Sequence, residues 1–86
     1  MEGDFMVEYG FEPENRRSVA VDDGHVIGLC EYKVQDGKWY ITHTEVDPVY
    51  GGRGIARQLV LMVAEEARKA QCDVVPICSY AVKVLG

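Results

Sequence analysis

Residues 47–69 read DPVYGGRGIARQLVLMVAEEARK, with three glycines and an arginine directly ahead of the most helical run in the chain. Ile55, Leu59, Met62, Val63, Ala67 and Ala70 recur at helical spacing. Arg57, Gln58, Glu65, Glu66, Arg68 and Lys69 fall mostly on the other side, so the pattern predicts an amphipathic helix over 53–70. Val60 and Leu61 widen the apolar face, as a helix packed broadly on a sheet requires. The first four N–H groups of a helix have no partner within it and ordinarily meet a Ser, Thr, Asp or Asn cap. Here the preceding positions are Tyr50, Gly51 and Gly52. Glycines let a ligand reach the backbone, bare N–H groups converge on it, and the helix dipole adds partial positive charge; together these make a natural phosphate or pyrophosphate site. Arg53 and Arg57 add full charges beside it. The plain alternative is a tight glycine turn whose N–H groups face water.

Upstream, residues 16–46 (RRSVAVDDGHVIGLCEYKVQDGKWYITHTEV) hold three runs rich in Val, Ile, Tyr, Trp and Thr, separated by Asp-Asp-Gly and Gln-Asp-Gly. Such turns between β-prone runs signal hairpins. They predict strands at 17–22, 25–34 and 38–46 in an antiparallel meander, with a weaker strand near Phe5 to Tyr9. Downstream, DVVPIC (73–78) is too short for a helix and rich in β-branched residues. Its place after the helix predicts a strand parallel to 38–46, reached by a right-handed crossover. Pro76 cannot donate to a ladder, so it marks either a sheet edge or a place where the strand parts from its neighbour and leaves a slot. The last residues, SYAVKVLG, fit one or two helical turns.

Composition narrows the function. The chain has 86 residues, 48% of them hydrophobic, and nothing in it reads as a linker, so one small domain over 1–86 is expected. No run approaches the ~18 apolar residues of a membrane span and the amino terminus lacks signal-peptide features, which points to the cytoplasm. Cys30, Cys72 and Cys78 are odd in number and lack CxxC spacing, so free thiols are expected rather than a disulfide framework or a structural zinc site, and no metal is expected. Residues 1–52 carry four basic against eleven acidic side chains; residues 53–86 carry five against three. An acidic surface repels phosphate backbones, which argues against a nucleic-acid partner and leaves room for a small anion at the basic site.

Three phosphate motifs compete for the loop. A Walker loop needs Gly-Lys-Ser/Thr and is excluded by Gly54-Ile55-Ala56. The dinucleotide fingerprint GxGxxG matches Gly52 and Gly54 but meets Arg57 at its third glycine, although Asp73 lies near the distance of a ribose contact. The third is a family likeness. Residues 42–85, from THTEVDPVYGG through VVPIC to AVKVL, closely resemble the small, single-domain members of the GNAT acetyltransferase superfamily. In that pattern, Gln/Arg-x-x-Gly-x-Gly/Ala, Gly54 and Ala56 fill the last two anchors, and Gly51 stands at the first, where a side-chain contact is lost and backbone N–H groups carry more of the binding.

The resemblance implies an α/β (α+β) fold of GNAT type, a mostly antiparallel sheet with one long packed helix and a parallel crossover strand. It implies an N-acetyltransferase that uses acetyl coenzyme A. Gly51, Gly52, Arg53, Gly54, Ile55, Ala56 and Arg57 would hold the pyrophosphate, and the backbone near Glu45 and Val46 would pair with the pantetheine arm. Cys78, after VVP, would sit at the acetyl group as nucleophile or proton carrier, and Tyr80 would protonate the departing thiolate. On the residues alone, His43 and Glu45 alternate along the strand expected to line the cleft, and either is a candidate base for an incoming ammonium. The acidic first half favours a cationic acceptor, a small-molecule or protein amine. Larger members of the superfamily grip the acceptor with extra helices and strands, so selection here falls to few residues, to a partner, or to a second copy in a homodimer. A non-catalytic acyl-coenzyme A or nucleotide-binding module is the alternative reading.

Overall fold

Both hairpin turns place two successive residues in the left-handed region, Asp23–Gly24 at φ 53 and 79 and Asp36–Gly37 at φ 53 and 75. That backbone matches the twist of the flanking strands and favours the Asp-Gly pairs seen here. In the computed structural model, which describes residues 6–86, the elements are β1 (Glu8–Glu12), β2 (Arg17–Asp22), β3 (His25–Gln35), β4 (Lys38–Val46), α1 (Ile55–Lys69), β5 (Asp73–Pro76) and α2 (Ser79–Leu85). The sheet order is β1-β2-β3-β4-β5, with antiparallel pairing throughout except for the parallel β4–β5 pair. This is the expected meander with its crossover strand. The first strand lies further along than expected, running from Glu8, and Phe5 is outside the described residues.

Helix α1 begins at Ile55 rather than 53, because Gly54 sits at φ 76 and cannot join the helix. It buries Ile55, Ala56, Leu59, Val60, Val63 and Ala67 against the sheet, with Met62 partly covered; Leu61 and Ala70 face outward. Removing five or six such side chains from water supplies roughly 1.5–3 kcal/mol for each of the larger ones. On its solvent side Glu65 pairs with Arg68, and Glu66 with Lys69. Ala81 of α2 joins the same core. At the far end of the sheet Tyr32 and Trp39 stack at a centroid distance of 4.2 Å, with Phe11 beside them. Among the described residues no helix is long and apolar enough to cross a membrane.

Two contacts set how closely α1 lies on the sheet. Ser18, fully buried on β2, donates its hydroxyl to the Leu59 carbonyl at 2.9 Å. Gly28 on β3 leaves room for the helix: a Cβ there would stand 3.2 Å from Leu59 Cδ1 and 3.1 Å from Val46 Cγ2.

Thr42 is an extra residue in β4. Ile41 pairs with Tyr32 and His43 with Glu31, leaving Thr42 unmatched, and such a bulge reverses which side chains face the core. Before it Trp39 and Ile41 share the α1 face; after it Thr44 and Val46 do, opposite Cys30 and Gly28. The β4–β5 ladder ends one position earlier, at the Ile41–Pro76 pair.

Filling the space at Gly28 is the direct test of this packing. Gly28→Ala should lower stability by about 1–3 kcal/mol through overpacking, seen as a lower denaturant midpoint at unchanged slope.

Candidate active site

Strands β4 and β5 separate beyond Ile41 and Pro76. The N–H groups of Ile77 and Cys78 both turn back to the Ile41 carbonyl, at 3.0 and 3.1 Å, which closes the base of the gap. From Ile41 to Val46 the free edge of β4 advances roughly 17 Å. Proline at position 76 therefore stands where the strand departs from its neighbour, and a slot opens above it.

The inner end of the slot is sulfur and hydroxyl. Cys78 precedes α2 as its cap, with Sγ accepting from the Ala81 N–H at 3.4 Å. Its Sγ lies 3.3 Å from Thr44 Oγ1, and the same hydroxyl lies 3.4 Å from Cys30 Sγ. Cys78 is half-buried, whereas Cys30 is fully buried and its thiol is pushed up to about 11, chiefly by desolvation and in small part by the neighbouring Cys78. Cys72 is partly exposed, and its thiol donates to the nearby Ala70 carbonyl at 3.5 Å.

The outer end is the glycine loop. A cavity of about 170 Å³ is lined by Gly51, Gly52, Gly54, Ile55, Ala56 and Arg57, with Val46, Tyr50 and Tyr80 as its walls. Gly54 gives α1 no side-chain cap, and the first bond of the helix runs from Gln58 N to Gly54 O at 3.0 Å. The N–H groups of Ile55, Ala56 and Arg57 thus have no partner inside the helix, at its positive end. Asp47 caps only the short turn Pro48–Tyr50, through Val49 N. Gly52 and Gly54 both adopt φ 76, which demands glycine or a residue tolerant of left-handed backbone.

Sequence reasoning did not single out what holds this loop. The Tyr50 hydroxyl donates to Asp22 Oδ2 at 2.5 Å, tying the loop to the end of β2, and this bond is the main reason its phenol is pushed up to about 12. A carboxylate 28 positions away carries no sequence signal of its own. Arg53, exposed, borders a separate hollow with Val7, Tyr9 and Ile55 rather than the loop cavity.

His43 and Glu45 are brought to each other, Nε2 to Oε1 at 2.8 Å, and both are exposed. The Thr42 bulge turns them to the sheet face away from α1, so they do not share a face with Thr44 and Cys78. Glu45 also lines, with Asp47, a hollow of about 460 Å³ beside Val46 and the start of β3. A further hollow, about 510 Å³, is lined by α1 residues between Gln58 and Arg68. Its Glu65 and Arg68 neutralise each other.

With this geometry the chain can be placed. Residues 16–86 match the profile of the GCN5-related N-acetyl-transferase family, and the chain belongs to that family. Solved structures carry the same fold. A GCN5-related N-acetyltransferase from Sphaerobacter thermophilus matches at 28% identity and TM-score 0.66, covering 70% of this chain and 20% of its own. A GCN5-like protein from Staphylococcus aureus matches at 24% and 0.65, covering 96% and 79%. A GNAT family acetyltransferase from Brucella melitensis, solved with acetyl-CoA, matches at 21% and 0.63, covering 78% and 49%. The chain thus spans about a fifth of the Sphaerobacter protein and about half of the Brucella one. Comparison with curated protein sequences gives no match.

The tether makes a prediction with a definite sign. Because Tyr50 is raised above its ordinary value near 10, its bond to Asp22 is fully present below that pH and is lost as pH rises towards 12. Tyr50→Phe removes it at every pH. Hydrogen exchange across residues 50–57 should quicken several-fold in that variant at neutral pH, while the core strands keep their protection.

Proposed function

We propose that residues 1–86 act as one minimal acetyltransferase domain that binds acetyl coenzyme A and transfers its acetyl group to a primary amine. The observation that carries this reading is the glycine-loop cavity at the uncapped start of α1, walled by Val46 of β4 and by Tyr80 of α2, the helix that the half-buried Cys78 caps. Acetyl-CoA in the Brucella structure of the same fold supports the choice of co-substrate. Three free cysteines suit a reducing compartment, and the cytoplasm is the proposed location.

In this reading the N–H groups of residues 52–57 donate to the pyrophosphate oxygens, with Arg57 adding charge and Ala56 and Gly54 allowing close approach. The edge of β4 at Glu45 and Val46 pairs with the pantetheine arm. Cys78 Sγ, as a thiolate, attacks the acetyl carbonyl carbon; the carbon–sulfur bond to coenzyme A breaks, and the departing thiolate takes a proton from Tyr80 or water. The amine then attacks the Cys78 thioester, Cys78 leaves as thiolate, and the amine's excess proton passes to water; His43 and Glu45, on the opposite sheet face, are not placed to take it. The carboxylates of Glu45 and Asp47 around their hollow favour a cationic acceptor. A second copy in a homodimer is one way to complete the acceptor site.

Gly54→Asn keeps the left-handed backbone while adding a side chain at the loop. Affinity for coenzyme A by calorimetry should fall roughly ten- to a hundred-fold, the worth of one or two charge-assisted hydrogen bonds. Unchanged affinity in a folded variant rules out the loop as the phosphate site.

Cys78→Ser preserves the cap on α2, since serine is favoured there. It should leave coenzyme A affinity within about two-fold yet reduce turnover by at least about 100-fold, because a nucleophile acts in the transition state. Wild-type protein incubated with acetyl coenzyme A should carry acetyl on Cys78 and not on Cys30 or Cys72. Tight binding with no turnover for any amine favours the non-catalytic acyl-coenzyme A binder instead.

A further inference from the structure

Thr44 stands between two sulfurs, Cys78 at 3.3 Å and Cys30 at 3.4 Å, and a threonine hydroxyl has one proton to give. Its geometry donates that proton to Cys30, while towards Cys78 either atom can be the donor. With Cys78 as a thiol the arrangement is therefore a chain, from the Cys78 S–H to Thr44 Oγ1 and from the Thr44 O–H to Cys30 Sγ. A thiolate can only accept. Once Cys78 has given its proton to solvent, the Thr44 hydroxyl serves it best by rotating about its C–O bond. The Ala81 N–H already points at the same sulfur, at 3.4 Å, so two donors then converge on the thiolate.

The other sulfur loses little by the exchange. Cys30 is fully buried and its thiol stays protonated to about pH 11, so it has no charge to stabilise. Other titratable groups on the surrounding elements are poorly placed for this work. Glu31, His43 and Glu45 project from the far face of the sheet, and Arg57, Tyr80 and Lys83 are exposed.

We propose that Thr44 is the positioning residue for Cys78: its single hydroxyl proton turns from Cys30 to Cys78 when Cys78 gives up its own. This deepens the reading of Cys78 as the acyl-accepting sulfur and rests on it. The proposal also explains the Thr42 bulge in functional terms, because without that extra residue His43 rather than Thr44 would face the cysteine pair.

The test needs no co-substrate. Alkylation of each cysteine by iodoacetamide is followed against pH by peptide mass spectrometry in wild type, Thr44→Val, Thr44→Ala and Thr44→Ser, with Cys72 as internal reference. In both hydroxyl-free variants the midpoint for Cys78 should rise by about one pH unit, a ten-fold fall in thiolate fraction at neutral pH. Thr44→Ser should restore it, and Cys72 should not move. A Cys78 midpoint within about 0.3 units of wild type in either folded hydroxyl-free variant, or a shift that serine fails to reverse, overturns the proposal. The catalytic reading fails separately, by full turnover in Cys78→Ser, which leaves the alkylation profile of the Thr44 variants unaffected.

Discussion

The close approach of α1 to the sheet governs everything else in this protein. Gly28 offers no side chain where Leu59 and Val46 converge, and Ser18 reaches up to the Leu59 carbonyl from the strand beneath. A helix held in this way cannot slide or roll without losing a buried hydrogen bond or driving Leu59 into the β3 backbone. Its axis fixes where its amino terminus points. That terminus meets the end of β4, so the uncapped N–H groups and the free strand edge face one space. With one long helix over a five-stranded sheet, the site is a by-product of how the core packs.

The slot depends on a second constraint, the coincidence of two interruptions at one level. Pro76 has no N–H to extend the β5 ladder, and Thr42 inserts a bulge one residue past the last β4 partner. Either alone would weaken the pairing. Together they bend β4 away and end β5, and the chain returns through Ile77 and Cys78 to the same Ile41 carbonyl. The return brings Cys78 against Thr44 and seats it as the cap of α2, so one cysteine holds a helix in place and meets a hydroxyl of β4. A structural and a chemical role for this thiol are compatible, and the cap explains why serine is its gentlest replacement.

The cysteines show how far burial separates residues that look alike in a list. Cys30 lies in the core, desolvated and held protonated; Cys72 sits at the exit of α1, its thiol donating to the local Ala70 carbonyl. Only Cys78 combines partial exposure, a helix amide and a hydroxyl neighbour. The loop shows the same division. The glycines identify themselves, since positive φ at Gly52 and Gly54 is a local demand, whereas the Tyr50–Asp22 bond that steadies them joins two distant segments.

Local chemistry alone determined most of the architecture. Asp-Gly turns, β-branched runs and the 3.6-residue repeat of 53–70 all express short-range sterics and burial, and the strands at 17–22 and 38–46 end where those signals end. The bare helix start was legible for the same reason, because a cap is a neighbour in sequence. What only the tertiary structure decided was which side chains meet. A single extra residue at position 42 reverses every following side chain on β4, and nothing in Ile-Thr-His-Thr-Glu marks where a bulge will fall. His43 and Glu45 therefore pair with each other on the open face, while Thr44, unremarkable as a letter, stands between Cys30 and Cys78. Alternation is written in the sequence; its phase is set by the partner strand, by the packing of α1, and by the proline that ends β5.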